Sequence, residues 1–232
     1  MGASYEMELL DRWRLLADRQ LIKLRLREQR VLSLLAVQGP VSRRRMAGML
    51  WPDSTEARAA DSLRVSLCHI HQQCAGVIRC DDGWVEIDPA VGIDLHRLRH
   101  RLQQVLLAPS AQSTPEDFFL RIRQLLPDWD EPWLFEEQEA LRQLQLRALE
   151  ARSLQLLNLG LQEQAWQLAQ NALRLDPMRE SAASLSARAE SGQGNNASAT
   201  AGLLQFISRL KSELGVEPSP ELLHTLTQLR GA

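Results

Sequence analysis

Cysteine is scarce in this chain. Three residues in 232, an odd number, exclude a disulfide framework and fit a reducing compartment such as the cytoplasm. No apolar run approaches the ~18 residues that a membrane helix requires, so no membrane segment is expected. The start of the chain carries Glu6, Glu8 and Asp11 with no apolar core behind a basic stretch, unlike a signal peptide. Neither sign of charge dominates: 27 Lys and Arg stand against 29 Asp and Glu, a formal net charge of −2. That total points neither toward nor away from nucleic acid. Enzyme motifs are missing too. There is no Gly-x-x-x-x-Gly-Lys loop, Gly192–Gln193–Gly194 has no strand ahead of it, and no Ser or Cys nucleophile has a motif around it. No catalysis and no cofactor are expected. What remains is 44% hydrophobic and 24% charged, which excludes a disordered tail or a collagen-like rod. The length suits one large domain or two small ones.

The charges and residue types divide unevenly. Residues 1–101 carry a net +3 and residues 102–232 a net −5. Twelve of the 16 Val and Ile lie in the first part, and 28 of the 43 Leu in the second. Branching at Cβ favours strands and unbranched chains favour helices, so the first part reads as mixed and the second as all helical.

In the first part, Tyr5–Leu10, Trp13–Leu16 and Leu21–Leu24 are short strand candidates, with Ala17–Asp18–Arg19 at a turn. Apolar Val31, Leu32, Leu34 and Leu35 recur at helical spacing within Glu28–Val37, which Gly39–Pro40 stops. Ser42 sits where an N-cap belongs, ahead of Arg43–Leu50. Trp51–Pro52–Asp53–Ser54 breaks that helix and offers the next N-cap, for a helix over Glu56–Cys74. Ile78–Ile87 reads as a hairpin with Asp82–Gly83 at its turn. Three short helices followed by a hairpin is the layout of a winged helix-turn-helix. Leu63, Leu67, Ile70 and Cys74 form one narrow stripe of the third helix, which should pack inward. Arg58, Asp61, Val65, Cys68 and Gln72 occupy the opposite face, flanked by Ser62, Arg64 and His69. A helix of that width with polar tips fits a DNA major groove, although any surface helix has a polar face.

The second part begins with a helix over Asp94–Leu107, a connector over Ala108–Thr114 and a further helix over Pro115–Leu126. A long helix then runs from Trp133 to Leu159. Gly160 and Gly194 are 34 residues apart, as are Ala165 and Ala199. Gly160, Ala165, Ala172 and Pro177 are spaced like the small residues and terminal proline of a tetratricopeptide repeat. The second unit departs from it, with Phe206 in place of the second alanine and Lys211 in place of the proline. Gly192–Ala201 reads as a loop or frayed helix start, and Glu217–Pro218–Ser219–Pro220 opens a last helix through Leu229.

The segments Leu50–Trp51–Pro52–Asp53, Leu63–Arg64 and Asp94–Leu95 are similar to those of a known family. So are Leu126–Pro127–Asp128–Trp129, Pro132–Trp133, Leu141–Arg142–Gln143–Leu144 and Ala148–Leu149–Glu150. Asp176–Pro177–Met178–Arg179–Glu180 and Glu213–Leu214–Gly215–Val216–Glu217–Pro218–Ser219–Pro220 complete the set. In this order they resemble the Streptomyces antibiotic regulatory protein family of bacterial activators, over almost the whole chain. The resemblance implies a winged helix-turn-helix DNA-binding domain over residues 1–93. A mainly α, tetratricopeptide-like bacterial transcriptional activation domain over residues 94–232 follows. It also implies binding of double-stranded promoter repeats, recruitment of RNA polymerase, and a homodimer or tandem binding. No nucleotide-driven switch domain or receiver domain is legible, so a minimal version is expected. The sequence departs from the family where arginines usually end the reading helix: His69, Ile70, His71 and Gln72 stand there, and Asp61 on the outward face would repel phosphate.

The expected DNA-binding residues are Arg43, Arg44 and Arg45 at the start of the second helix, Arg58, Ser62, Arg64, Val65 and His69 on the third, and Arg79 in the hairpin. Phosphate contact is the functional reading of the arginine run, and a solvated basic face is the plain one. From Lys23 to Arg58 the local charge is +5, which supports contact. Arg64 serves equally well as a structural salt-bridge partner. Cys68, His69, His71, Cys74 and Cys80 invite a zinc site, but Cys68 and Cys74 lie ~120° apart around one helix and no Cys-x-x-Cys exists, so no metal is expected. Trp129, Trp133 and Trp166 read as packing between helices rather than a ligand cage. Asp128, Asp130, Glu131, Glu136, Glu137 and Glu139 read either as a surface for a basic partner or as a dipole-favoured helix start. The alternative to a DNA-binding activator is an interaction scaffold or co-regulator with a degenerate winged helix.

Overall fold

The computed structural model describes residues 3–107 and 121–231. They belong to two units, one drawn from residues 1–98 and 123–140, the other from residues 99–122 and 141–232.

In the first unit, β1 (Tyr5–Glu8), β2 (Arg14–Ala17) and β3 (Gln20–Ile22) form an antiparallel meander, with Asp18 and Arg19 at positive φ in the expected turn. Alternation places Met7 and Leu15 fully inside. A two-residue strand, β7 (Gly92–Ile93), pairs with β1 in parallel, giving the order β3-β2-β1-β7. Nothing so short carries a sequence pattern. Strand β1 ends two residues before its expected end because Leu9 and Leu10 turn their amides to Asp94, the first residue of α4 (Asp94–Leu107).

Helix α1 (Leu26–Gln38) buries Val31, Leu32, Leu34 and Leu35 and stops at Gly39, whose φ of +77° suits glycine. The short β4 (Val41–Ser42) leads into α2 (Arg43–Leu50), and the Ser42 hydroxyl accepts the Arg45 amide as expected of an N-cap. The cap of α3 (Glu56–Gln73) differs from expectation. The Ser54 amide closes a turn onto the Trp51 carbonyl, so the chain becomes extended only at Thr55, which accepts the Arg58 amide. Leu63, Leu67, Ile70 and Cys74 are all buried, as their stripe requires. The hairpin of β5 (Ile78–Asp81) and β6 (Trp84–Ile87) turns through Asp82 and Gly83, both at positive φ, and β6 also pairs with β4.

Pro115–Leu126 is not the expected helix where it is described. Residues 121–126 are extended and irregular, and Leu125 bridges Leu10. The amide of Leu126 donates to the Leu9 carbonyl, so the backbone is spent on an edge contact rather than on helical hydrogen bonds. Residues 115–120 of the expected helix, and the connector expected over 108–114, lie outside the described residues. From α5 (Pro132–Asn158), residues 132–140 pack with this unit. The side chain of Arg30 ties them in: its Nη2 donates to Glu131 at 2.9 Å and to the Leu50 carbonyl at 2.8 Å.

The second unit is helical: the remainder of α5, then α6 (Gln162–Leu175), α7 (Glu180–Gly192), α8 (Asn196–Arg209) and α9 (Pro220–Gly231). The 34-residue period has a structural cause. Gly160 and Gly194 occupy equivalent turns, before α6 and before α8, with φ of +74° and +86°. Ala165, Ala172 and Ala199 are fully buried where helices approach closely. Phe206 fills the space that a second alanine would leave, within a cluster including Leu203, Leu222 and Leu226. Pro177 follows the end of α6, whereas Lys211 retains the amide and lacks the ring that would stop α8. The chain therefore runs on through a π-helical turn, Leu210–Leu214, to Gly215 at φ +65°. Gly192–Ala201 is ordered as a three-residue turn and the first turns of α8, not a loop.

Burial pushes the Glu150 carboxyl up, but hydrogen bonds from Arg179 and Ser181 outweigh it and hold it below the ordinary 4.5. A depressed carboxylate stabilises the fold above its unfolded value, and that contribution is lost as pH falls through the folded value. Acid titration of the helical circular dichroism should show this loss below about pH 4.5. The variant E150Q should remove that part of the pH dependence while weakening the fold at neutral pH.

Candidate nucleic-acid interface

The sequence places three cations in the first turn of α2 with no acidic residue there. That end of a helix carries the positive pole of its macrodipole, so the fold gains nothing from the arginines and is mildly opposed by them. All three side chains are exposed. Arg43 and Arg45 have no ion-pair partner among the described residues, whereas Arg44 Nε lies 2.9 Å from Glu56 at the start of α3. The hairpin docks on the same helix end through the Arg43 amide and the Gly83 carbonyl, at 3.0 Å.

On α3 the expected residues separate into two groups. Arg58 is exposed and without an ion-pair partner, and Ser62 and Val65 are half-buried on the outward side. Arg64 is exposed but sits 3.6 Å from Asp61, one helical turn away. His69 leans back toward α1: its Nδ1 is 2.8 Å from Arg27 Nη2 and 3.3 Å from the Glu28 carboxylate. Arginine only donates, so the nearer contact makes Nδ1 an acceptor. Glu28 is 2% exposed. Burial would raise its carboxyl, but the Arg27 guanidinium holds it below its ordinary value, so it stays charged beneath α3. In the hairpin, Arg79 donates to Asp88 at 2.7 Å.

Sequence reasoning passes over Trp84. Val85 is fully buried, so the alternation of β6 turns Trp84 outward, and 54% of it is exposed on the hairpin beside the start of α2. Hairpin alternation about Val85 is the signal that would have found it.

Among the described residues, no group of three His, Cys, Asp or Glu is placed to hold a metal ion. Cys74 lies in the core, where burial pushes its thiol up to about 11. Trp133 is buried and donates its indole N–H to Glu131 at 2.9 Å, while Trp129, and in the second unit Trp166, are half-buried. Glu131, paired with Arg30, is a structural member of the acidic group rather than a free surface charge.

Residues 122–230 match the family described as "Bacterial transcriptional activator domain". That stretch, just under half of the chain, is similar to this domain. With a winged helix ahead of that domain, the resemblance to the Streptomyces antibiotic regulatory protein family is borne out, as is the fold class. No curated protein matches the sequence. Among solved structures the chain is similar to "Mycobacterium tuberculosis EmbR in complex with low affinity phosphopeptide", with a TM-score of 0.78 and 17% identity. The match covers 99% of this chain and 66% of that one, so this chain spans about two thirds of its length. At that identity the likeness concerns the fold. No described helix is long and apolar enough to cross a membrane.

Proposed function

We propose that this chain is a cytoplasmic bacterial transcription activator, not an enzyme. It binds double-stranded promoter repeats through a reader within residues 1–93. It contacts RNA polymerase through the helical activation domain within residues 94–232, as a homodimer or as copies in tandem. The observation that carries this reading is the pair Arg43 and Arg45 at the start of α2, exposed, opposed by the helix dipole and without an ion-pair partner among the described residues. Arg43, Arg45 and Arg58 supply the phosphate contacts, and Ser62 and Val65 face the bases. Arg44, Arg64 and Arg79 join them only by exchanging Glu56, Asp61 and Asp88 for phosphate. His69, already bound to Arg27, positions α3 rather than reading a base. Genome-wide footprinting with the intact protein tests the reading: protected sites should lie in promoters as repeats. A protein that leaves DNA unprotected at low salt overturns it.

A second reading, an interaction scaffold with a degenerate winged helix, draws on the same pairs. Arg44, Arg64, His69 and Arg79, four of the nine expected contacts, already have partners within the protein. The variant E56Q separates the two. Freeing Arg44 should tighten DNA binding severalfold in the activator and leave a scaffold unaffected, as read by fluorescence anisotropy on a duplex.

A further inference from the structure

Helices α2 and α3 do not close fully on one another. Between them lies an open cleft of roughly 540 Å³, within the ~300–1,000 Å³ of small-molecule sites. Ala47, Gly48 and Trp51 line one wall, and Ala60, Leu63 and Leu67 the other. Around this apolar floor stand three arginines, Arg43, Arg44 and Arg64, against a single acid, Glu56. The mouth is therefore positive and the interior apolar.

Gly48 keeps the cleft open. It sits inside α2 at an ordinary helical φ, so no left-handed turn requires glycine there. A Cβ built on it meets nothing within 4 Å, so no close approach requires it either. A helix-interior glycine weakens its helix relative to alanine, and nothing in the packing of α2 offsets that weakness. What a larger side chain would remove is the cavity itself.

We infer that the cleft between α2 and α3 is a binding site for a small apolar organic anion, such as an aromatic carboxylate or sulfonate. The ring system lies between Trp51 and the small side chains of both helices, and the acid group meets Arg43 and Arg44. Arg43 and Arg44 are also DNA-contact residues under the proposed function. The anion would thus compete with phosphate for the same guanidinium groups, a consequence that rests on that proposal.

The site itself is tested without DNA, on the full chain. The probe is 1-anilinonaphthalene-8-sulfonate, with uncharged N-phenyl-1-naphthylamine for comparison. The expected result is saturable binding of the sulfonate at one site, about tenfold tighter than the uncharged probe. G48L should abolish saturable binding of both probes while leaving the melting temperature unchanged or raised. R43Q should weaken the sulfonate about tenfold and leave the uncharged probe unaffected. Absence of saturable binding to the wild-type chain, or equal binding to folded G48L, overturns the inference. Because DNA is absent, neither outcome bears on the DNA-binding proposal.

Discussion

Replacing Arg43 and Arg45 together with glutamine should lower the affinity for duplex DNA about sixtyfold near 0.1 M salt. Each guanidinium that meets a phosphate releases close to one condensed counterion, worth about eightfold at that ionic strength. The slope of log affinity against log salt should become shallower by about two. The same change should not harm the fold. These side chains are exposed, without ion pairs among the described residues, and sit at the positive end of α2. Removing two cations from a helix N-terminus stabilises it by about 0.3–1 kcal/mol each at low salt. Loss of affinity with preserved or raised melting temperature is the signature of a functional cation. R44Q should show a smaller loss than either neighbour, because Glu56 already neutralises Arg44 in the free protein. Anisotropy on a duplex of arbitrary sequence, at several salt concentrations, suffices for the measurement. An unchanged slope in the double variant would mean that the arginine row is only a solvated face.

The reading helix shows what a sequence can and cannot reveal. Periodicity alone placed Leu63, Leu67, Ile70 and Cys74 inside, because a helix has one period and its core needs one stripe. The hairpin turn was legible for a similar reason: Asp82–Gly83 is local chemistry that requires no knowledge of the rest of the chain. The engagement of Arg79 and of His69 was not legible. Arg79 meets Asp88 nine residues on, and His69 meets Glu28 across 41 residues. Such pairs depend on how elements pack, which composition and spacing do not encode. The helix expected over Pro115–Leu126 fails at residues 121–126 for the same reason. Its described residues, 121–126, are helix-compatible, but Leu125 and Leu126 pair with Leu10 and Leu9 from the far end of the unit. Tertiary contact overrides local propensity there. The 34-residue period survived because Gly160 and Gly194 set two equivalent turns by their own backbone angles.

Asp94 is where a single side chain holds distant backbone together, and D94A should be among the most damaging changes in the first unit. Its carboxylate accepts the Leu9 amide at 2.9 Å, the Leu10 amide at 3.1 Å and the Leu95 amide at 2.7 Å. Leu9 and Leu10 are 0% and 5% exposed, so water has little room to replace the lost acceptor. Each buried amide left unpartnered costs about 1–3 kcal/mol, and truncation should destabilise the fold by about 3–5 kcal/mol. That is a large share of the ~5–15 kcal/mol that holds a typical domain. The variant D94N keeps one acceptor oxygen but presents an NH2 group to the other amides, so roughly half the loss is expected. The pH response has the opposite sign to that of Glu150. Burial pushes the Asp94 carboxyl above its ordinary 3.8, although three amides pull it down. The folded chain therefore keeps a proton that the unfolded chain has already shed. Stability falls as pH rises through the window just above 3.8, then levels off. Urea unfolding read by tryptophan fluorescence measures the loss, and hydrogen exchange at the Leu9 and Leu10 amides localises it. Exchange accelerated at these two positions beyond the global change would show that Asp94 anchors the end of β1 to the start of α4. A D94A protein as stable as the wild type would show that the backbone finds other acceptors.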